Sequence, residues 1–226
     1  MKYVFFDLDG TVTESAPGII NSVVYAIGKM NAKMPEKDVL YKFVGPPLSE
    51  SFVKYCGVDP SKTSEAITFY REYYTKKGMF ENSVYPGIGE LTAKLKAEGV
   101  RVVLATSKPQ LFAEQILTYF GIRENFDGVF GNTMGETYAD KTALLKDVFK
   151  KMNVQAEDLG GCVMVGDRSN DVEGAHGAGI RAIGVLYGYG DRAELEGAGA
   201  DVIAKTVEEL AKILAGGPLQ GAEKVI

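Results

Sequence analysis

The sequence predicts a doubly wound α/β protein, a parallel sheet wrapped by helices, with a helical subdomain inserted near its start. Three observations carry that reading. Short apolar runs, read as strands buried on both faces, alternate with amphipathic stretches of helical length. Helices of that length between strands demand crossover connections, which build parallel sheets. The alternation is interrupted once, over roughly residues 14 to 83, where helical patterns follow one another without a strand signal between them.

The first strand is Tyr3 to Phe6, an apolar run that stops at Asp7. Ser15-Ala16-Pro17 then opens a helix, with a cap candidate and proline in the first turn, continued by Ile19, Ile20, Val23, Val24, Ile27 and Met30 at 3.6-residue spacing. Three further helical segments are expected at about Glu36 to Val44, Leu48 to Tyr55 and Pro60 to Lys77. Val84-Tyr85-Pro86-Gly87 marks the return to the core. A helix over Ile88 to Glu98 stops at Gly99, followed by a strand Val100 to Ala105 and a helix Lys108 to Phe120. Then come a short strand at Gly128 to Gly131, a helix Lys141 to Met152, and a strand Cys162 to Val165 ending in Gly166-Asp167. A short helix Asp171 to Gly177, a strand Ala182 to Val185 and a last helix Thr206 to Leu214 complete the series. The expected organisation is a core of residues 1–13 and 84–216, a helical cap of 14–83 and a tail of 217–226.

The 226 residues are 46 % hydrophobic and 24 % charged, an ordinary composition for a globular protein with a sizeable core. A net charge of −5 without a Lys/Arg run argues against a nucleic-acid polymer as partner. The N-terminal apolar run is too short, and ends in acids, for a signal peptide, and no stretch is long enough to span a bilayer. Cys56 and Cys162 have no metal-type spacing and read as reduced packing residues. A cytoplasmic protein, monomeric or homodimeric, is expected.

Asp7-Leu8-Asp9-Gly10-Thr11 concentrates the chemistry. Side chains alternate along a strand, so Asp7 and Asp9 point the same way. Two like charges ~4 Å apart at an effective dielectric of ~20 repel by roughly 4 kcal/mol. A proton or cation between them relieves this. Both acids sit at the carboxyl end of a strand, where open α/β sheets bind ligands. The plain alternative is an Asx turn closing a strand. Further polar groups follow other strands: Thr106, then Asp167 and Asp171 in Gly166-Asp167-Arg168-Ser169-Asn170-Asp171, with Lys141 opening the helix before them. Singly, each of these has an ordinary structural explanation as strand end, helix cap or solvated lysine. His176, the only histidine, lies in Gly174-Ala175-His176-Gly177-Ala178, where close helix packing gives it a structural role.

Taken in order, Asp-x-Asp-Gly-Thr, a strand-terminal Thr, Lys and Gly-Asp-x-x-x-Asp resemble the haloacid dehalogenase-like superfamily, specifically its Mg²⁺-dependent phosphatases. The likeness covers nearly the whole chain, including a cap inserted after the first motif. It implies that Asp7 attacks phosphorus to give an aspartyl-phosphate and that Asp9 acts as acid and then base. Mg²⁺ would bridge Asp7, the main-chain carbonyl of Asp9 and Asp167, with Asp171 holding it directly or through water. Thr106 and nearby amides would bind phosphate oxygens, and Lys141 would offset charge. Gly10, Thr11, Ser107 and Lys108 would also meet the substrate, and Arg168 lies beside the metal motif.

Asp9 and Asp167 argue against the metal-free dehalogenase branch, and a cap without histidine argues against the sugar-phosphate mutases. Cap contacts with the substrate are expected from Lys42 to Leu48, Gly45 and Pro46 above all, with Arg71, Tyr73, Tyr74 and Lys76 as further candidates. A rigid Pro-Pro connector explains that loop nearly as well. Gly45-Pro46-Pro47, Phe80 to Gly87, Ala105 to Pro109 and Gly184 to Gly190 look closer to a 5′-nucleotidase-like group than to phosphoglycolate phosphatases. Phe80, Tyr85 or a cap tyrosine could stack on a base. The expected substrate is a small phosphorylated metabolite, a nucleoside monophosphate before phosphoglycolate. A phospho-accepting regulatory domain without turnover is the reading from another class.

Overall fold

A computed structural model describes residues 1–134 and 138–216; the expected tail, 217–226, lies outside the described residues. The chain divides into two compact units, residues 14–83 and the remainder. The first strand, β1 (Tyr3–Phe6), ends at Asp7. In the 14–83 unit, α1 (Ala16–Met30) carries Pro17 in its first turn and ends at Asn31 in the left-handed region. A single turn at Lys37–Leu40 and a 3-10 turn at Tyr41–Phe43 stand where one helix to Val44 was expected. Pro46 and Pro47 lie between them and α2 (Leu48–Cys56). The segment from Pro60 starts as a 3-10 turn and becomes α3 (Thr63–Tyr74). Tyr70 and Tyr74 stack at 5.3 Å, and Phe43 meets Phe52 edge-on at 5.4 Å.

The other unit alternates α4 (Ile88–Ala97), β2 (Arg101–Pro109), α5 (Gln110–Tyr119), β3 (Gly128–Asn132), α6 (Lys141–Lys151), β4 (Cys162–Gly166), α7 (Ser169–Gly177), β5 (Arg181–Val185), α8 (Arg192–Gly197), β6 (Val202–Ala204) and α9 (Val207–Ala215). The six strands form one parallel sheet in the order β3-β2-β1-β4-β5-β6. The order reverses beside β1, where ligands bind in folds of this type.

β1 is central, and Val4, Phe5 and Phe6 are completely buried, as a strand covered on both faces must be. Phe5, Val103 and Met164 share one cluster with Leu144, Leu145 and Val148 of α6 and with Val172 and Ala175 of α7. On the opposite face, Phe6 meets Phe126 edge-on. Cys56 and Cys162 are free and buried. Among the described residues no helix is long and apolar enough to cross a membrane.

Three departures from the sequence reading have local causes. β2 runs on to Pro109, and α5 begins at Gln110 rather than Lys108, because a residue before proline is pushed out of the helical region. α8 was not expected: of its six residues only Leu195 is buried, so no apolar period marks it. β6 has three residues, two of them only half-buried, too short for a pattern.

Candidate active site

The acids of the first motif stand at the end of β1. The Asp7 N–H donates to the Val165 carbonyl of β4 at 3.0 Å, which ties the end of one strand to the strand that delivers Asp167. The chain then folds back tightly, with Gly10 donating to the Thr13 carbonyl and Val12 and Thr13 to that of Leu8. Gly10 has a φ of +85° and lies against the Asp167 carboxylate, where a Cβ would be 2.2 Å from Oδ2. Asp171 lies in the first turn of α7, its Oδ2 accepting the Arg168 N–H at 3.2 Å. Oxygens of Asp7, Asp167 and Asp171 lie within 4.8 Å of one another.

Lys141, the first residue of α6, is buried in this acidic cluster. Its Nζ lies 2.7 Å from Asp7 Oδ1, 2.8 Å from Asp171 Oδ1 and 3.2 Å from the Ala105 carbonyl. The contacts to Asp7 and Ala105 are hydrogen bonds, and Asp171 Oδ1 is an ion-pair partner without hydrogen-bond geometry. The helix start that delivers it is capped by Asp140, which accepts the Ala143 N–H. Asp9 faces a different cation: Lys108 Nζ approaches its two oxygens at 2.8 and 2.6 Å.

Burial dominates the protonation of Asp7 and Asp167. It pushes Asp7 up to about 6 against the pull of Lys141, and it pushes Asp167 up to about 8, with Asp171 and Asp7 adding to the effect. Burial opposes the charge on Lys141 too, but Asp171 and Asp7 outweigh it and hold the ammonium above the usual lysine range.

The donor set suits a divalent cation. Once Asp7 and Asp167 release their protons, the four acids Asp7, Asp9, Asp167 and Asp171 face two ammonium groups, an excess of two negative charges that a divalent cation would offset. All donors are oxygens, the preference of a hard ion such as Mg²⁺.

A pH dependence follows. Asp7 and Asp167 hold protons in the folded state at pH values where the unfolded chain, with carboxyls near 3.8, has released them. Stability of the metal-free protein therefore falls as pH rises from about 5 to about 8. A Mg²⁺ ion held by these acids would compete with those protons, so the rise in melting temperature on adding it should grow over the same interval. Melts in chelator and in Mg²⁺ at several pH values test this; a Mg²⁺ effect independent of pH would contradict it.

The remaining expected residues fall in several places. Thr106 is buried, its Oγ1 accepting the Lys108 N–H at 3.3 Å. Ser107 is exposed, and its carbonyl accepts from Asn132. Thr11, expected at the substrate, is fully buried and donates its hydroxyl to Asp167 Oδ1 at 3.2 Å. Arg168 pairs with Glu194 of α8 at 2.8 Å. Gly45 and Pro46 belong to the 14–83 unit, as do Arg71, Tyr73, Lys76 and the buried Tyr74. Tyr85 packs edge-on against Tyr187 at 4.9 Å. His176 does not pack between helices: it is exposed and pairs with Asp201 at 3.0 Å. Gly174 and Gly177 provide the close packing instead, against Lys141 and Thr142.

Sequence reasoning missed the loop that reaches both Asp167 and the first motif. The Tyr189 N–H reaches Asp167 Oδ2 at 2.8 Å, and Tyr187 Oη donates to the Thr11 carbonyl at 3.1 Å. The repeated glycines of Gly188-Tyr189-Gly190 were the available signal.

A parallel sheet that gathers acids and a buried lysine at its switch point defines a hydrolase core of the haloacid dehalogenase type. The chain belongs to the haloacid dehalogenase-like hydrolase family, whose sequence model matches residues 4–185. It is 36 % identical to a 5′-nucleotidase of Pseudomonas aeruginosa over 85 % of this chain and 86 % of that one. It is 38 % identical to the tyrosine-protein kinase PtkA of Mycobacterium tuberculosis, over 94 % of this chain and 72 % of that one. A phosphoglycolate phosphatase of Colwellia psychrerythraea is 34 % identical over 83 % and 85 % of the two chains. Among solved structures, a predicted phosphatase from Clostridium acetobutylicum superposes with a TM-score of 0.87 at 41 % identity, over 95 % and 98 % of the two chains. The protein is a phosphatase of this family.

Proposed function

We propose that the protein is a Mg²⁺-dependent phosphomonoesterase acting through an aspartyl-phosphate on Asp7, with a nucleoside 5′-monophosphate as substrate. The observation that carries this is the acidic cluster around Lys141, with Asp9 outside it on its own cation. Lys141 holds Asp7 with one oxygen engaged. In the first step an Asp7 oxygen bonds to phosphorus and the ester P–O bond breaks. Asp9 gives a proton to the departing oxygen, which leaves as the alcohol. In the second step water attacks phosphorus and Asp9 takes its proton. The Asp7–phosphorus bond then breaks, and orthophosphate leaves.

Lys108 must release at least one Asp9 oxygen for these transfers. Thr106 and the amides beside it would bind phosphate oxygens. Asp7, Asp167, the Asp9 carbonyl and Asp171 would hold Mg²⁺, which supplies positive charge at the phosphoryl group.

The 5′-nucleotidase relative favours a mononucleotide; phosphoglycolate is the runner-up. The test is phosphate release with Mg²⁺ from nucleoside 5′-monophosphates, phosphoglycolate and sugar phosphates. A mononucleotide is expected to exceed phosphoglycolate in kcat/KM by about tenfold or more, 1.4 kcal/mol of transition-state binding. The reverse order would make phosphoglycolate the substrate. Lasting phosphorylation without release would favour the regulatory reading.

A further inference from the structure

We propose that the loop after β5, residues 186–190, is a positioning element that fixes the Asp167 carboxylate for the divalent cation. The inference rests on the metal reading above and extends it to residues with no part in the phosphoryl chemistry. Asp167 is completely buried, and each of its oxygens receives one donor. Thr11 Oγ1 reaches Oδ1 at 3.2 Å, and the Tyr189 N–H reaches Oδ2 at 2.8 Å. A carboxylate oxygen with one such donor keeps a lone pair for a cation. The carboxylate is oriented without being consumed.

The glycines flanking Tyr189 show how closely the loop is seated. A Cβ on Gly188 would lie 2.2 Å from the Gly10 carbonyl oxygen, 2.4 Å from Asp167 Cβ and 2.6 Å from Asp167 Oδ2. One on Gly190 would lie 1.9 Å from the Asp167 carbonyl oxygen. Neither glycine has the left-handed φ that usually calls for one. Contact is therefore the reason glycine stands there: main chain must lie directly on Asp167. Tyr187 tethers the same loop to the first motif through its bond to the Thr11 carbonyl, its ring braced by Tyr85. Loop, Asp-x-Asp turn and Asp167 are locked together by donors and by the absence of side-chain volume.

Gly188→Ala forces the loop to lift, which breaks the Tyr189 bond, or forces Asp167 to rotate. Partners that orient a metal ligand are typically worth 10- to 100-fold in metal affinity, so the Mn²⁺ dissociation constant should rise by roughly that factor. The experiment titrates the intact protein with Mn²⁺, reading free ion by electron paramagnetic resonance, with Mg²⁺ as competitor and thermal melts to confirm folding. Gly197→Ala makes the same chemical change in open space and should leave affinity unchanged. Tyr187→Phe adds no atoms, loses only the tether, and keeps the question decidable if Gly188→Ala does not fold; it should weaken binding by roughly 3- to 10-fold.

Binding in Gly188→Ala, or in Tyr187→Phe if that is the folded variant, within about twofold of the parent would overturn the proposal, provided Asp167→Asn has lost it. A parent protein that binds no Mn²⁺, or an Asp167→Asn variant that binds like the parent, would instead overturn the metal reading and the proposal with it.

Discussion

Asp7→Asn is expected to reduce kcat by roughly four to six orders of magnitude, the scale seen when a covalent nucleophile is removed from an enzyme. The amide keeps the shape of the side chain but cannot form an acyl phosphate. The fold should tolerate the change, since burial disfavours the Asp7 carboxylate even beside Lys141 and holds it at about 6. Above that pH a neutral isostere removes a charge that the site accommodates only at a cost. The variant in chelator at pH 8 should therefore melt no lower than the parent. Rapid-quench assays for acid-stable phosphoprotein and steady-state phosphate release together check the claim. Retention of more than about 1 % of kcat would exclude Asp7 as nucleophile.

Lys141→Met should be the most destabilising single change at this site. The ammonium is enclosed by Asp7, Asp171 and the Ala105 carbonyl, so an apolar side chain of similar length leaves buried acids without their cation. Breaking a buried ion pair in this way costs about 3–5 kcal/mol. The loss has two remedies that separate electrostatics from packing. Acid should restore stability by neutralising Asp7 and Asp167, and Mg²⁺ should restore it by supplying the missing charge. Urea unfolding at pH 5 and pH 8, with and without Mg²⁺, measures both. A loss that neither acid nor Mg²⁺ relieves would mean the lysine acts through volume alone.

The sheet was legible because its inner strands are apolar on both faces: Tyr3–Phe6, Val102–Ala105 and Val163–Val165 could hardly be anything else. β6 and α8 were not, since Val202–Ala204 is short and α8 buries one leucine. The acids were legible as a set, because carboxylates at successive strand ends need a common explanation. Their partners were not. Nothing in the spacing says that Lys108 turns to Asp9, or that the Thr11 hydroxyl turns to Asp167 rather than to a ligand. Side-chain direction between neighbouring strands is decided by packing, which one strand's sequence does not contain. The extension of β2 to Pro109 was available from the proline itself, whose constraint on Lys108 outweighs the helical pattern that follows.

The place of β1 at the middle of the sheet has a consequence for synthesis. Its hydrogen-bonded neighbours are β2, from Arg101, and β4, from Cys162. At about 5–20 residues per second, a ribosome needs roughly 5–20 s after making β1 to supply even the first of them. Throughout that time the strand Tyr-Val-Phe-Phe has neither neighbour to pair with, and the whole 14–83 unit is made before either arrives. The core thus closes late, around the part of the chain that was made early.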